Sequence, residues 1–492
     1  MALPNHLAID IRTDDPLALS IKKKLESSAT FQSRTTDRPV AIFRVPSHIR
    51  ERHKNFYEPR LVSIGPYHRG SERLKCMEEQ KLEYVKKMLY ENPDVTLDDY
   101  LAVLRKLEPA AQRCYYEKFY MDSDEFVEML LYDACFIIQL VVNWSFPDDD
   151  IVYDISWNIP LIKSDLLMLE NQIPFFVLQN VFQLYSTRSD DTSDLISPSS
   201  TEPMSPDSEF DKVSLSEDSE PDKASLFDVL VEFLQHGNET FQVPEQDNNY
   251  DHLLDFYYQC YMRTQEFPMK RRKKFLPLKI TIPKVFPIIS SIRRLTMRRR
   301  LQMVMRKPRT ISCATELQEA GITFKKADSK SIFNVHFSNG VLRIPYTPIE
   351  EATRPQIMNL IAFEQCSGQK HKPLSSYAVF MDCIVNTSRD VLILQQNEII
   401  ENKLADEKAA AEFFNQLRYC IYLDYEDHHL AELFKNVKKY CDSSWQKYRA
   451  KLYRDYFSNP WSIISFIAGI LLLLLTFLQT FYTVMPYYRP SH

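Results

Sequence analysis

Residues 124 to 144 read DEFVEMLLYDACFIIQLVVNW, and on a helical period their large apolar side chains fall on nearly every face. A helix without a polar side is either the centre of a protein core or a membrane span. Glu128, Asp133 and Gln139 lie within it. Hydrocarbon would leave such groups unsatisfied and a protein interior can pair them, so the stretch predicts a buried central helix.

A core around such a helix needs further helices with one apolar stripe, and the flanking sequence supplies them. Residues 72 to 90 place Leu74, Met77, Tyr84, Val85 and Met88 at helical spacing with charges opposite, a surface helix. Residues 165 to 185, DLLMLENQIPFFVLQNVFQLY, are apolar again, with Pro174 positioned to kink or break the helix. Helices are also predicted over 225 to 236, 251 to 266, 351 to 366, 375 to 386 and 407 to 439. One β element stands out in SIFNVHFSNGVLRIPYT, where Asn339-Gly340 is a hairpin turn signal. That turn sets Phe337 opposite Leu342, Val335 opposite Ile344 and Phe333 opposite Tyr346 on one face, leaving Asn334, His336 and Arg343 on a wet face. GITFKK, 321 to 326, offers a third strand after a helix ending at Ala320. The predicted fold class is mainly α, an α+β chain with a small antiparallel hairpin or three-stranded sheet.

The 492-residue chain has 45% hydrophobic residues, enough to bury a core. It has only 7 glycines, none grouped into a phosphate-cradling loop, which removes P-loop enzymes, kinases and the usual dinucleotide folds. Its 9 cysteines are scattered, odd in number and never in a Cys-x-x-Cys pair, against a zinc ribbon or disulfide framework and in keeping with reduced thiols. The N-terminal MALPNHLAIDIRTDDPLALS lacks the apolar run of a cleaved signal. By contrast WSIISFIAGILLLLLTFLQTFY, 461 to 482, carries no charge and as a helix reaches roughly 33 Å, the span of a hydrocarbon core. Trp461 and Tyr482, with Tyr487 and Tyr488, sit where an aromatic belt belongs, and Lys447, Arg449, Lys451 and Arg454 precede the span. The positive-inside rule then predicts a single-pass protein whose N-terminal part is cytosolic; the plasma membrane is expected in preference to an endomembrane.

Two stretches interrupt the helical pattern. Residues 187 to 223 hold 11 acidic and 3 basic side chains with 10 serines, too polar to fold, and read as a disordered acidic insertion. Ser197, Ser205, Ser214 and Ser219 within it are candidate phosphorylation sites. Residues 270 to 309 hold 15 Lys and Arg and no acid. Without a nucleic-acid fold around them, they read as a solvated loop that lies on an anionic leaflet, with Arg271, Arg272, Lys273, Arg298, Arg299 and Arg300 facing lipid and no nucleic acid expected as partner. The organisation that follows is an N-terminal tail over 1 to 40 and a helical domain over 41 to 440 carrying both insertions. A basic juxtamembrane segment over 441 to 460, the span, and a tail over 483 to 492 complete it.

Six ordered motifs carry a resemblance: FRVPSHIRERHKNFYEPRLVSIGPYHRG, YDACFIIQL, DLLMLENQIPFFVL, ATELQEAGITFKK, LRIPYTPIEEATRPQIMNLIAFEQC and FMDCIVNTSRDVLILQQNEIIENKL. Together with the span after NPW they resemble the land-plant family called domain of unknown function 247, over roughly residues 40 to 484. The resemblance carries no established biochemical activity with it; some family members look like pollen or stigma determinants of grass self-incompatibility. Arg69 stands where the family's GPYHHG-type sequence has its second histidine, which removes that histidine as a metal ligand here.

His48, His53 and His68 lack cysteine ligands at finger spacing and read as surface histidines beside a strand and turn. Cys76 with His68 could form a nucleophile and base, but Cys76 falls in a helix interior that would not activate a thiolate. Glu170 and Glu364 are acids in apolar surroundings, either a general-acid pair or acceptors for backbone freed by Pro174 or a helix end, and the second reading is preferred. His428, His429 and Glu432 could share a helix face as half a metal site, though a solvated helical turn is the simpler reading. Val62, Ile64 and the Gly65-Pro66 turn should pack while their basic neighbours stay solvated. The expectation is a membrane-anchored, non-catalytic recognition or signalling protein, held by lipid through its C-terminal helix and binding an unknown protein partner without a cofactor. The alternative is an unrecognised hydrolase or transferase using buried carboxylates, which a polar pocket holding both Glu170 and Glu364 would favour.

Overall fold

The computed structural model describes residues 40–144, 151–186, 225–235, 241, 249–265, 310–368, 372–442 and 460–488, with isolated positions 17, 20, 21 and 23. At its centre lies the helix Ser123–Val142. Asp122 starts it by accepting from Glu125 N, while Glu125 reaches back to Asp122 N, so two orphan donors are satisfied reciprocally. From Phe126 to Val141 almost every side chain is buried, Asp133 and Gln139 included. The helices Lys75–Glu91, Leu97–Arg113, Phe175–Ser186 and Leu226–Leu234 pack around it. Leu97–Arg113, opened by a Thr96/Asp99 capping box, is a helix the sequence reading did not place.

Pro174 breaks the 165 to 185 stretch outright. The helix Asn158–Leu166 ends ahead of it, residues 167 to 174 are irregular, and a new helix starts at Phe175. Phe175 then stacks near Phe227, Tyr250 and Phe256, with centroids 5.3 to 6.0 Å away. This aromatic cluster joins Leu226–Leu234 and Leu253–Thr264 to the core. The same hydrophobic core continues into Arg354–Cys366, Pro373–Ile384, Ser388–Gln396 and Glu407–Leu417.

The sheet is smaller than the hairpin pattern suggests. Strands β1 (Thr323–Ala327), β2 (His336–Ser338) and β3 (Val341–Pro345) lie in the order β1-β3-β2, β1 parallel and β2 antiparallel to β3. The turn has φ of 51° at Asn339 and 78° at Gly340, the two left-handed residues of a type I′ hairpin. Phe337 opposes Leu342 as expected, and His336 opposes Arg343 on the wet face. The ladder stops there, because Asn334 N donates to Ser331 O and Val335 N to Phe333 O, which turns the chain away. Val335–Ile344 and Phe333–Tyr346 therefore do not pair. Tyr346 leads instead into β4 (Thr347–Ile349), which pairs in parallel with β5 (Ile400–Asn402) in a second sheet.

The expected single helix over 407 to 439 is also divided. Glu407–Leu417 passes into a 3-10 turn, Arg418–Cys420, and the helix Ala431–Asp442 begins afresh. Between them Asp424 Oδ1 accepts from Glu426 N and its carbonyl from Asp427 N, an Asx-type turn that competes with helix. Farther on, Pro460–Tyr488 is one long helix, with proline at its first position where no N–H is needed. Its stretch Ile464–Thr483 has a mean hydropathy of 2.2 and none of it is buried inside the protein, so it is a candidate membrane anchor. Trp461 and Tyr482 are both exposed on it. The acidic insertion with Ser197, Ser205, Ser214 and Ser219, the basic run with Arg271, Arg272, Lys273, Arg298, Arg299 and Arg300, and most of the juxtamembrane segment lie outside the described residues.

Candidate functional site: a clamped N-terminal segment and a basic groove

The segment from Arg44 to Gly70 is fastened to the end of the helix Asn158–Leu166, to the irregular 167 to 174 stretch and to the central helix by buried side chains. Glu170 accepts from Val45 N at 2.8 Å, Arg50 Nη1 at 3.1 Å and Arg44 Nε at 3.3 Å. Asp165 Oδ2 gathers three successive backbone donors, Arg60 N, Leu61 N and Val62 N, at 2.9, 2.7 and 3.1 Å. Asn171 accepts from Ile64 N at 2.7 Å and donates to Val62 O at 3.0 Å. Gly65 N donates to Asp133 Oδ2 at 2.7 Å, and Asp133 Oδ1 is met at 2.6 Å by Nζ of the fully buried Lys81. Gly65 takes φ of 75°, and a Cβ there would lie 2.3 Å from the Gln172 carbonyl oxygen, so the turn needs glycine twice over.

Electrostatics follow burial. Desolvation raises the pKa of Glu170 against the pull of Arg50, Val45 N and Arg44. His68 lies 3.5 Å from Glu170, but burial and then Arg44, Arg50 and Arg73 press its pKa down to about 4, so near neutrality the ring is uncharged and this is no ion pair. Asp165 is pushed up to about 6 by burial, with its three N–H donors opposing. Asp133 is raised by burial against the nearby Lys81 ammonium.

Glu364 does a similar job elsewhere. It accepts from Leu374 N at 3.0 Å, from Ser375 N and Oγ at 2.7 Å each, and from Tyr258 OH at 2.9 Å, which caps the start of Pro373–Ile384. Complete burial raises its pKa while these bonds oppose the rise. Glu170 and Glu364 have no hydrogen-bonding partner in common; Glu364 holds the backbone of a helix start, as expected, whereas Glu170 holds Val45 N and two arginines of a distant segment and not backbone freed by Pro174.

Other sequence-predicted groups are placed differently from expectation. His68 is half-buried against Glu170 and not a freely solvated surface histidine, and Arg44 and Arg50 are held by the same carboxylate in place of solvent. Arg69 binds Glu78 at 3.2 Å. Cys76 is exposed in the first turn of Lys75–Glu91, not in its interior. His428 and His429 precede the helix that contains Glu432, and His429 meets Phe333 O at 3.3 Å, so the three do not share a helix face. Among the described residues no group of three or more His, Cys, Asp or Glu is arranged to hold a metal.

The outer side of the same segment borders an open groove of about 610 Å³, lined among others by Arg52, His53, Lys54, Arg60, Arg354 and Gln416. The Arg52 guanidinium lies 3.7 Å over the Tyr419 ring, and Arg354 lies 5.4 Å from both Phe56 and Phe413. Arg354 also chelates Glu351 at 3.0 and 2.9 Å and donates to Gln416 at 3.1 Å. Burial, then Arg52 and Arg354, lower the pKa of His53. Its Nε2 is buried without a hydrogen-bond partner.

A family model described as a plant protein of unknown function, DUF247, matches residues 42–475. UPF0481 protein At3g47200 of Arabidopsis thaliana is 27% identical over 467 residues, covering 91% of this chain and 86% of the relative. Putative UPF0481 protein At3g02645 of the same plant is 24% identical over 476 residues, covering 90% of each. No solved structure matches.

Proposed function

The chain belongs to the plant DUF247 family of unknown function, and from that premise we propose that it is a membrane-anchored, non-catalytic recognition or signalling protein whose helical domain binds protein partners in the cytosol. The observation that carries this reading is the use made of its buried acids. Asp165, Glu170 and Glu364 are committed to backbone N–H groups of other segments, and Glu170 also to two arginines. A general acid or base must reach a substrate proton. Both oxygens of Glu170 and of Glu364 are already taken by the fold's own donors, which leaves these two acids poorly placed for that work. The exposed apolar helix supplies the anchor, and the basic residues ahead of it favour a cytosolic domain.

Proximity labelling from the full chain in its own tissue, beside a chain lacking residues 460 to 488, tests the reading. The expected result is a reproducible set of cytosol-facing neighbours that the deletion disperses. Asn386 provides an independent check of orientation: it is an exposed sequon residue, so a glycan there would place the domain on the opposite side.

A further inference from the structure

We infer that the groove beside Arg52 and Arg354 is a binding site for a small, multiply charged phosphate ester. The inference goes beyond the recognition reading and does not depend on it. Four cations, Arg52, Lys54, Arg60 and Arg354, line the groove with two carboxylates, Glu51 and Glu351. Glu351 is consumed by Arg354 in a two-toothed pair. Among the described residues no carboxylate forms an ion pair with Arg52 or Lys54, and Arg60 Nε comes only within 4.0 Å of an Asp165 already bonded to three N–H groups. The concavity therefore holds positive charge in excess of what the fold uses.

Its guanidinium groups are also held in place. Tyr419 supports the plane of Arg52, and Phe56 and Phe413 flank that of Arg354. A stacked fork loses less freedom on capturing an oxyanion than a free one, and its planar donors suit phosphate oxygens. The volume, about 610 Å³, lies in the range of small-ligand sites. The two unpaired cations, Arg52 and Lys54, with Arg60 beside them, fit a group bearing more than one negative charge better than a single carboxylate. Nucleic acid fits poorly, because the Tyr419 face that would stack a base is covered by Arg52. The same chemistry is found in a phosphorylated lipid headgroup and in a soluble phosphate ester.

The test titrates inorganic pyrophosphate into the full chain in nanodiscs of phosphatidylcholine, followed by calorimetry, and repeats it in discs containing a small fraction of phosphatidylinositol bisphosphate. Saturable binding that weakens with salt is expected, with affinity reduced about tenfold by Arg52→Gln and again by Lys54→Gln. Lys86→Gln, an exposed site outside the groove, should leave it unchanged. A lipid source predicts that the phosphoinositide discs compete pyrophosphate away; a soluble source predicts equal affinity in both discs. Absence of saturable binding in phosphatidylcholine discs, or undiminished affinity in an Arg52→Gln/Lys54→Gln chain of unchanged melting temperature, would overturn the assignment. Either result leaves the labelling test of the recognition reading intact, since that test reports protein neighbours.

Discussion

Asp165 holds three consecutive backbone N–H groups on one oxygen, while its Oδ1 is buried without a hydrogen-bond partner. Burial pushes its pKa up to about 6 from the ordinary 3.8, so between these values the native protein keeps a proton that the unfolded chain releases. Stability from this group is full below about pH 4 and is lost as pH rises through about 6. Asp165→Asn keeps one acceptor oxygen and removes the titration. Urea unfolding from pH 4 to 7 should find wild type losing about 3 kcal/mol relative to that variant; parallel curves would contradict the assignment. The Lys81–Asp133 pair makes a second residue-level prediction. Lys81→Met strands a buried carboxylate and should cost about 3–5 kcal/mol, and adding Asp133→Asn, which still accepts from Gly65 N, should recover about half. Lys81 was legible in retrospect, because it occupies the Met77, Tyr84, Val85, Met88 stripe where an apolar side chain belongs. Asp165 was not legible: its partners lie 103 to 105 positions away, and no local spacing encodes that distance.

Most elements follow from patterns the sequence displays: the buried central helix, the break at Pro174, the Asn339-Gly340 turn and the strand after Ala320. The failures came where a local polar turn overrode periodicity, at 421 to 430 and at 331 to 335, and in β4–β5, whose short strands are set by their packing. The Gly65 turn allows a comparison within one segment. Gly65 and Gly70 share positive φ, 75° and 81°, but a Cβ at Gly70 meets nothing within 4 Å. Gly70→Ala should therefore cost only the conformational strain, about 1 kcal/mol. Gly65→Ala must also displace the Gln172 backbone carbonyl, and should cost more than about 3 kcal/mol in equilibrium unfolding. Equal losses would show that the 44 to 70 segment is not clamped as described.

At the scale of the whole chain, the exposed helix Pro460–Tyr488 and the acid-clamped domain make different demands on their surroundings. The helix needs an apolar environment for its leucines, so deleting 460 to 488 should release the protein from membranes under alkaline carbonate, and Leu473→Arg, costing about 3 kcal/mol at mid-span, should lower the retained fraction. The domain holds the N-terminal segment through its buried carboxylates, Asn171 and apolar packing, none of which uses the outer basic face of that segment proposed for binding. The claim that these acids fasten the fold and do not turn over a substrate is tested most directly by quantitative proximity labelling of the full chain beside Glu170→Gln, which keeps an acceptor for Val45 N. The account predicts the same cytosol-facing neighbours in both. A set of proteins enriched only with the glutamine variant, as trapped substrates would be, would contradict it.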